Sequence, residues 1–131
     1  MIVLDTHVII WDALKPEALS NQAREAIADA NERDGIIFCD ISLWEIAMLV
    51  AKGRLQIDMD YPSLIELILQ ANHYVLQPIS PAIAHLATQL PANVNQDPAD
   101  RLIAATALVE QAVLVTADRN LRGTEIIPTL W

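Results

Sequence analysis

The chain has 131 residues, of which 53% are hydrophobic, and a formal net charge of −9 at pH 7. This length predicts a single domain, residues 1–131, that buries its own core, and the apolar content excludes a disordered chain. The acidic balance argues against non-specific nucleic-acid binding, although a divalent cation inverts the charge of an acidic pocket. Because there is no long apolar run, no secretion signal and only Cys39 as a thiol, the sequence predicts a cytoplasmic protein without membrane contact.

Short apolar runs alternate along the chain with longer helical patterns. Strands are predicted at residues 2–4, 36–39, 74–79 and 113–116, with a short fifth strand at 125–127. Helices are predicted at 7–14, 21–33, 42–52, 62–72, 81–90 and 98–112, and Ser-Pro or Asp-Pro pairs mark two of their starts. Strands separated by helices require crossover connections, so the pattern predicts an α/β fold with a central parallel sheet of four to five strands between helical layers.

Four acidic residues stand where one pocket would bring them together. Asp5 closes the first strand, Asp118 follows the fourth, and Asp100 lies in the first turn of the helix after Asp97-Pro98. Glu45 interrupts an otherwise apolar helix and has no solvated face to occupy. In an open parallel sheet the functional crevice lies beyond the carboxyl ends of the strands, where three of these acids are predicted to point.

Each acid also has a structural explanation. Asp5, Asp97 and Asp118 precede helical segments and could serve as N-caps, and Asp100 would suit the positive end of a helix dipole. Glu45 is the hardest of the set to explain structurally, since a buried carboxylate without a partner is costly. Four carboxylates in one crevice repel one another unless a cation lies among them, and all-oxygen ligands favour Mg²⁺ or Mn²⁺.

Other side chains are assigned by their position near the predicted crevice. Basic residues that could contact a substrate backbone are Lys52, Arg54, Arg101, Arg119 and Arg122. Trp11 and Trp44 could stack a nucleobase, but core packing is the favoured prediction for both. The three histidines show no metal-ligand spacing and no catalytic partner.

The chain resembles the PIN-domain ribonucleases, and within them the VapC-type toxins of type II toxin–antitoxin pairs. The resemblance runs nearly end to end and rests on four strings: Asp5-Thr6-His7, Leu43-Trp44-Glu45, Asp97-Pro98-Ala99-Asp100-Arg101-Leu102 and Thr116-Ala117-Asp118. It implies a PIN-like three-layer α/β/α fold and a metal-dependent endoribonuclease with an RNA substrate, a cognate antitoxin and a homodimeric state.

The resemblance also implies roles for individual residues. Asp5, Glu45, Asp100 and Asp118 would be the catalytic, metal-binding quartet, with Thr6, Asp97 and Thr116 supporting it. One departure is visible: many relatives carry a basic residue or histidine just before the Asp-Pro pair, where this chain has Asn95-Gln96.

Three alternatives remain open on the sequence. A phosphoacceptor receiver domain would share the length and architecture, but it needs adjacent acids after the first strand and an Asp where this chain has Gln77. A phosphatase with an Asp nucleophile would want an acid at position 7, which is His7. A catalytically silent binding module of the same fold would differ from the enzyme only in an activity assay.

Overall fold

The computed structural model describes all residues from Met1 to Trp131. The strands are β1 (Ile2–Leu4), β2 (Ile36–Cys39), β3 (Tyr74–Gln77), β4 (Val113–Val115) and β5 (Thr129–Leu130). The α-helices are α1 (Thr6–Leu14), α2 (Asn21–Glu32), α3 (Ile41–Ala51), α4 (Tyr61–Ala71), α5 (Pro81–Gln89), α6 (Pro98–Val109) and α7 (Arg119–Gly123), and a short 3-10 helix spans Pro16–Ala18. None of the helices combines the length and the apolar character that a membrane span requires.

The five strands form one parallel sheet in the order β3-β2-β1-β4-β5. The chain builds the sheet outward from β1 through β2 to β3, and then returns to the other side of β1 to add β4 and β5. The reversal places a topological switch point between β1 and β4, where a crevice opens at the carboxyl ends of the strands. Flavodoxin-like domains, including receivers, have the order 2-1-3-4-5 instead, so the receiver alternative is wrong.

Alternate residues of the central strands enter two cores. Leu4, Phe38 and Val115 pack with α1, α2, α3 and α4 on one face of the sheet. Val3, Ile37 and Leu114 pack with α6 and α7 on the other face. Coverage of both faces explains why β1, β2 and β4 read as continuous apolar runs, and the predicted three-layer α/β/α fold is confirmed. At the edge strand β3, Val75 and Leu76 are exposed.

Most element bounds agree with the sequence prediction, but three strand and helix ends differ. The fifth strand lies at Thr129–Leu130 and not at 125–127, because Ile127 is buried in a core cluster while Ile126 is exposed. The third strand ends at Gln77, since Pro78 has no N–H for a ladder bond. Helix α6 ends at Val109, after which Gln111 turns the chain with φ 52°.

Two smaller features were predicted differently or not at all. The 3-10 helix at Pro16–Ala18 was not predicted, and the segment after Asp118 forms the short helix α7. Gly35, between α2 and β2, has φ 88°, and a Cβ there would lie 2.7 Å from the carbonyl oxygen of His73. This position therefore requires glycine both for its backbone angle and for the close approach of β3.

Candidate active site

One cavity at the switch point collects the acidic side chains. The cavity, called the acid pocket below, has a volume of about 320 Å³ and is lined by Asp5, His7, Trp11, Glu45, Asp97, Asp100, Ala117 and Asp118. The four acids singled out in the sequence therefore meet, although they come from the end of β1, from α3, from the first turn of α6 and from the segment after β4. A larger cavity of about 700 Å³ lies beside α7, but it contains no acidic side chain.

Asp5 is positioned from β4 and does not act as a helix cap. Its backbone N–H donates to the carbonyl oxygen of Val115 at 3.1 Å, which continues the β1–β4 ladder. Its side chain is only 7% exposed and makes no capping bond to α1. Instead, the buried hydroxyl of Thr116 donates to Asp5 Oδ2 at 2.7 Å and accepts the backbone N–H of Asp118 at 3.1 Å. Thr116 thus fixes two of the acids relative to each other.

Glu45 is held on the opposite wall by hydroxyl groups. The buried Thr6, in the first turn of α1, donates a hydrogen bond to Glu45 Oε1. The Thr6 hydroxyl also lies 2.8 Å from that of Ser42, which is one turn before Glu45 on α3. A pair of buried hydroxyls therefore fixes one carboxylate oxygen of Glu45, and no basic side chain is involved.

Two of the other acids have capping bonds as well as a place in the acid pocket. Asp97 caps α6 by accepting the N–H of Asp100 at 3.1 Å, as the Asp-Pro pair predicted. Asp118 caps α7 by accepting the N–H of Leu121 at 3.0 Å. A capping role and a site role are thus compatible for Asp118, because its second carboxylate oxygen makes no hydrogen bond within the chain.

The negative charge of the acid pocket is not balanced within the chain. The one ion pair of the structure joins Arg33 to Asp29, away from the acid pocket. Burial raises the pKa of Asp5 and of Glu45 above their ordinary values. The pKa of Asp100 rises from 3.8 to about 7, first because of burial and then because of the four neighbouring carboxylates. A site with this excess of negative charge favours binding of a cation.

The donor set fits Mg²⁺ or Mn²⁺. Carboxylates and hydroxyls supply only oxygen atoms, which hard divalent cations prefer, and no cysteine lines the acid pocket. As they stand, no three acidic, histidine or cysteine side chains are placed to hold one metal ion. A cation in the acid pocket would therefore require the carboxylates to change position.

The predicted basic residues divide into three groups. Lys52 and Arg54 are exposed at the end of α3. Arg119 and Arg122 are exposed on α7 and line the larger cavity together with Gln22 and Trp131. Arg101 is different, because its guanidinium donates to backbone carbonyls in the last turn of α5 and in the α5–α6 connection, including Ala87 at 3.0 Å and Leu90 at 2.6 Å. These hydrogen bonds hold the α5–α6 connection in place.

The sequence prediction missed His7 as a residue of this site and favoured core packing for Trp11. His7 and Trp11 lie one turn apart on α1 and both line the acid pocket, with ring centroids 6.0 Å apart. The spacing of four residues on the helix that follows Asp5 was a usable signal. Ser42 and Asn95 were also missed, since nothing in the sequence shows that they reach the acids.

The two tryptophans differ in exposure. Trp11 is half-buried and packs against Trp131 with ring centroids 5.8 Å apart, which agrees with the favoured prediction of core packing. Trp44 is 59% exposed, so the same prediction is wrong for this residue. The i, i+1 spacing explains the error: Glu45 faces the acid pocket, and Trp44 points about 100° away around α3.

Comparisons with known proteins agree with this geometry. The family model described as "PIN domain" matches residues 2–126. The chain is 38% identical over 122 residues to a protein named Ribonuclease VapC22 from Mycobacterium tuberculosis, covering 93% of this chain and 90% of that protein.

Solved structures share the fold at low sequence identity. A VapBC2 complex from Rickettsia felis bound to a promoter DNA fragment has a TM-score of 0.76 and 18% identity, covering 99% of this chain and 98% of that chain. A DNA-bound VapBC from Salmonella typhimurium has a TM-score of 0.73 and 18% identity, with 98% and 96% covered. These likenesses support the architecture described above.

Proposed function

Because this chain belongs to the PIN domain family, we propose that it is a metal-dependent endoribonuclease that hydrolyses RNA phosphodiester bonds as the toxin of a toxin–antitoxin pair. The observation that carries the proposal is the convergence of Asp5, Glu45, Asp100 and Asp118 in one pocket, where no Lys or Arg side chain forms an ion pair with them. When bound, Mg²⁺ or Mn²⁺ supplies Lewis acidity and neutralises charge around the phosphate.

The residues of the chain prepare the site for that chemistry. Thr116 orients Asp5, while Thr6 and Ser42 orient Glu45, so each carboxylate presents one oxygen to the acid pocket. These bonds fix the carboxylates before a substrate arrives, which reduces the reorganisation needed in the transition state. Asp97 supports the site by capping the helix that carries Asp100.

The proposed contact surface for the RNA backbone consists of the exposed basic residues Lys52, Arg54, Arg119 and Arg122. Arg119 and Arg122 lie on α7, the helix that Asp118 caps, and their side chains make no hydrogen bond or ion pair within the chain. Lys52 and Arg54 could contact the backbone from the end of α3. Arg101 has fewer free donors for an RNA contact, because its guanidinium already donates to backbone carbonyls. The exposed His7 adds a polar ring at the mouth of the acid pocket.

Cleavage of a labelled single-stranded RNA of mixed sequence tests the proposal. We expect cleavage with Mg²⁺ or Mn²⁺, no cleavage in chelator, and no cleavage by Asp5→Asn. Asp58→Asn is the matched control, since Asp58 is exposed on the loop after α3 and belongs to no site. DNA of the same sequence separates a ribonuclease from a general nuclease. A wild type without hydrolysis under all conditions would favour the silent binding module.

The proposed partner is a cognate antitoxin, and RNA and antitoxin together imply a cytoplasmic setting. VapBC complexes are among the solved structures that share this fold. An acidic pocket would accept an arginine from the partner, since Arg–carboxylate bonds are charge-assisted and bidentate. Exposed apolar side chains on the α3–α4 side, Trp44, Met59 and Leu67, offer a surface for it.

Co-expression tests the partner. We expect the chain alone to arrest growth and the small frame adjacent to its gene to relieve the arrest and to co-purify. No arrest by the chain alone, with no co-purification, would contradict the toxin role. We also propose the homodimer, for which sedimentation of the purified chain should give twice the mass of the 14.5 kDa protomer.

A further inference from the structure

The side chain of Asn95 lies between two of the acids. Its Nδ2 donates to Asp100 Oδ2 and to Asp118 Oδ1, both at 3.2 Å. The two N–H groups of this amide are the only side-chain donors that reach either carboxylate. Asn95 therefore joins the two carboxylates through a neutral side chain.

Hydrogen bonds to the backbone around Asn95 hold this segment in place from two directions. The backbone N–H of Asn95 donates to Asn120 Oδ1 at 2.9 Å, and Asn120 Nδ2 donates to the carbonyl oxygen of Asn93 at 2.9 Å. From the other side, the guanidinium of Arg101 donates to the carbonyl oxygens of Val94 at 3.2 Å and of Asn95 at 3.4 Å. This arrangement fixes residues 93–95 against both α6 and α7, so the bridging amide has a defined position.

The hydrogen bonds leave a specific pair of oxygens free. Asn95 occupies Asp100 Oδ2, and Asn95 together with the N–H of Leu121 occupies Asp118 Oδ1. Asp100 Oδ1 and Asp118 Oδ2 accept no hydrogen bond. One oxygen of each carboxylate is thus used to orient the group, and the other remains available as a ligand. Groups that bond the ligands of a metal in this way orient them and tune its affinity.

We infer that Asn95 is a positioning residue that orients Asp100 and Asp118 for the divalent cation without ligating it. The inference rests on the proposed function, because it requires the cation to bind in the acid pocket. It gives the residues before Asp97-Pro98 a role within the metal site. On this inference, the hydrogen bonds of Arg101 and Asn120 keep the Asn95 side-chain amide within hydrogen-bond distance of both acids.

Direct Mn²⁺ binding tests the inference, with the electron paramagnetic resonance signal of free Mn²⁺ as the readout. Asn95→Leu keeps a similar volume but removes both N–H donors. We expect its Mn²⁺ affinity to fall about 10- to 100-fold, as is typical when a partner of a metal ligand is lost. Asn93→Leu is the matched control, since the exposed Asn93 side chain makes no hydrogen bond, and its affinity should equal that of the wild type.

Each outcome decides the matter. Wild-type affinity in Asn95→Leu would overturn the inference and leave the proposed function intact. No Mn²⁺ binding by the wild type would overturn both. An equal loss of affinity in Asn93→Leu would mean that only the fold of the loop matters, which also overturns the inference. If Asn95→Leu does not fold, as judged by its melting curve, Asn95→Ala gives the same comparison without added bulk.

Discussion

Removal of the Asp100 charge should stabilise the metal-free protein. Burial, and then the charges of four neighbouring acids, raises the pKa of Asp100 to about 7 from an ordinary value of 3.8. Between these two values the folded protein keeps a proton that the unfolded chain has lost. The free energy of unfolding therefore falls as the pH rises through this window, and at pH 8 the ionised Asp100 opposes folding.

The size of the effect follows from the same pKa. A change from 3.8 to about 7 corresponds to at most about 4 kcal/mol. Asp100 is only partly buried, so solvent screening reduces this to about 1–2 kcal/mol. For a domain of this length, Asp100→Asn should then melt about 4–8 °C above the wild type in chelator at pH 8. The advantage should shrink steadily as the pH is lowered towards 4.

Added metal should reverse the order of the two proteins. An ion that binds only the folded state at a hundredfold excess over its dissociation constant stabilises it by about 2.7 kcal/mol. The wild type should gain this stabilisation from Mn²⁺, whereas Asp100→Asn, which lacks one of the acids, should gain little. Asp58→Asn is the control for the loss of one negative charge from an acidic chain, and it should follow the wild type in chelator and in Mn²⁺.

Melting curves of the three proteins, with chelator and with Mn²⁺ at pH 8 and pH 5, decide the matter. Asp100→Asn melting below the wild type in chelator at pH 8 would mean that the Asp100 carboxylate acts as a stabilising group at the start of α6. Equal metal-induced shifts in both proteins would mean that Asp100 takes no part in metal binding. Either result would refute the shared metal site.

Three further predictions concern other parts of the molecule. Glu45→Gln should lower RNA cleavage by more than about 100-fold, which exceeds the effect typical of losing a residue that only orients a metal ligand. The variant should melt no lower than the wild type, because the amide oxygen still accepts the hydrogen bond from the Thr6 hydroxyl. Retained cleavage in a labelled-RNA assay would contradict the role of Glu45. Arg101→Lys should weaken the α5–α6 connection and speed amide hydrogen exchange there, since a single ammonium group cannot donate to all of the carbonyl oxygens that the guanidinium bonds. Unchanged exchange would contradict the role of Arg101 in holding this connection. Gly35→Ala should lower the free energy of unfolding by more than about 1 kcal/mol in urea titrations, because its Cβ would meet the His73 carbonyl; a neutral effect would mean that the α2–β2 turn relaxes freely.

The family and the fold could be predicted from the sequence because their signals are local. The continuous apolar runs of the first four strands, the Asp-Pro and Ser-Pro starts, and the helical patterns between strands each lie within a few residues, and the predicted three-layer parallel sheet is confirmed. The ordered strings from Asp5 to Asp118 predicted the PIN family, and the matches over residues 2–126 and to Ribonuclease VapC22 confirm it. The roles of the quartet itself stay a prediction until metal and activity are measured.

The fifth strand shows where local reading fails. Ile126-Ile127 is the more β-like segment, yet the ladder to β4 forms at Thr129–Leu130. The sheet edge had to satisfy the N–H groups of Leu114 and Thr116, and the carbonyl oxygens of Pro128 and Leu130 are the atoms that reach them. Register at an edge is decided by the neighbouring strand, which the segment alone does not reveal.

The sequence by itself determined which chemical groups the site could contain, because the type of each side chain and its place at a strand end or helix start are local properties. The tertiary structure alone decided how those groups are held. The bonds from Thr116 to Asp5, from Thr6 to Glu45 and from Asn95 to Asp118 join residues 111, 39 and 23 positions apart. The first contact exists only after the sheet has brought β1 beside β4, and the other two exist only after distant segments of the chain have packed together, so no periodicity or motif could have displayed them.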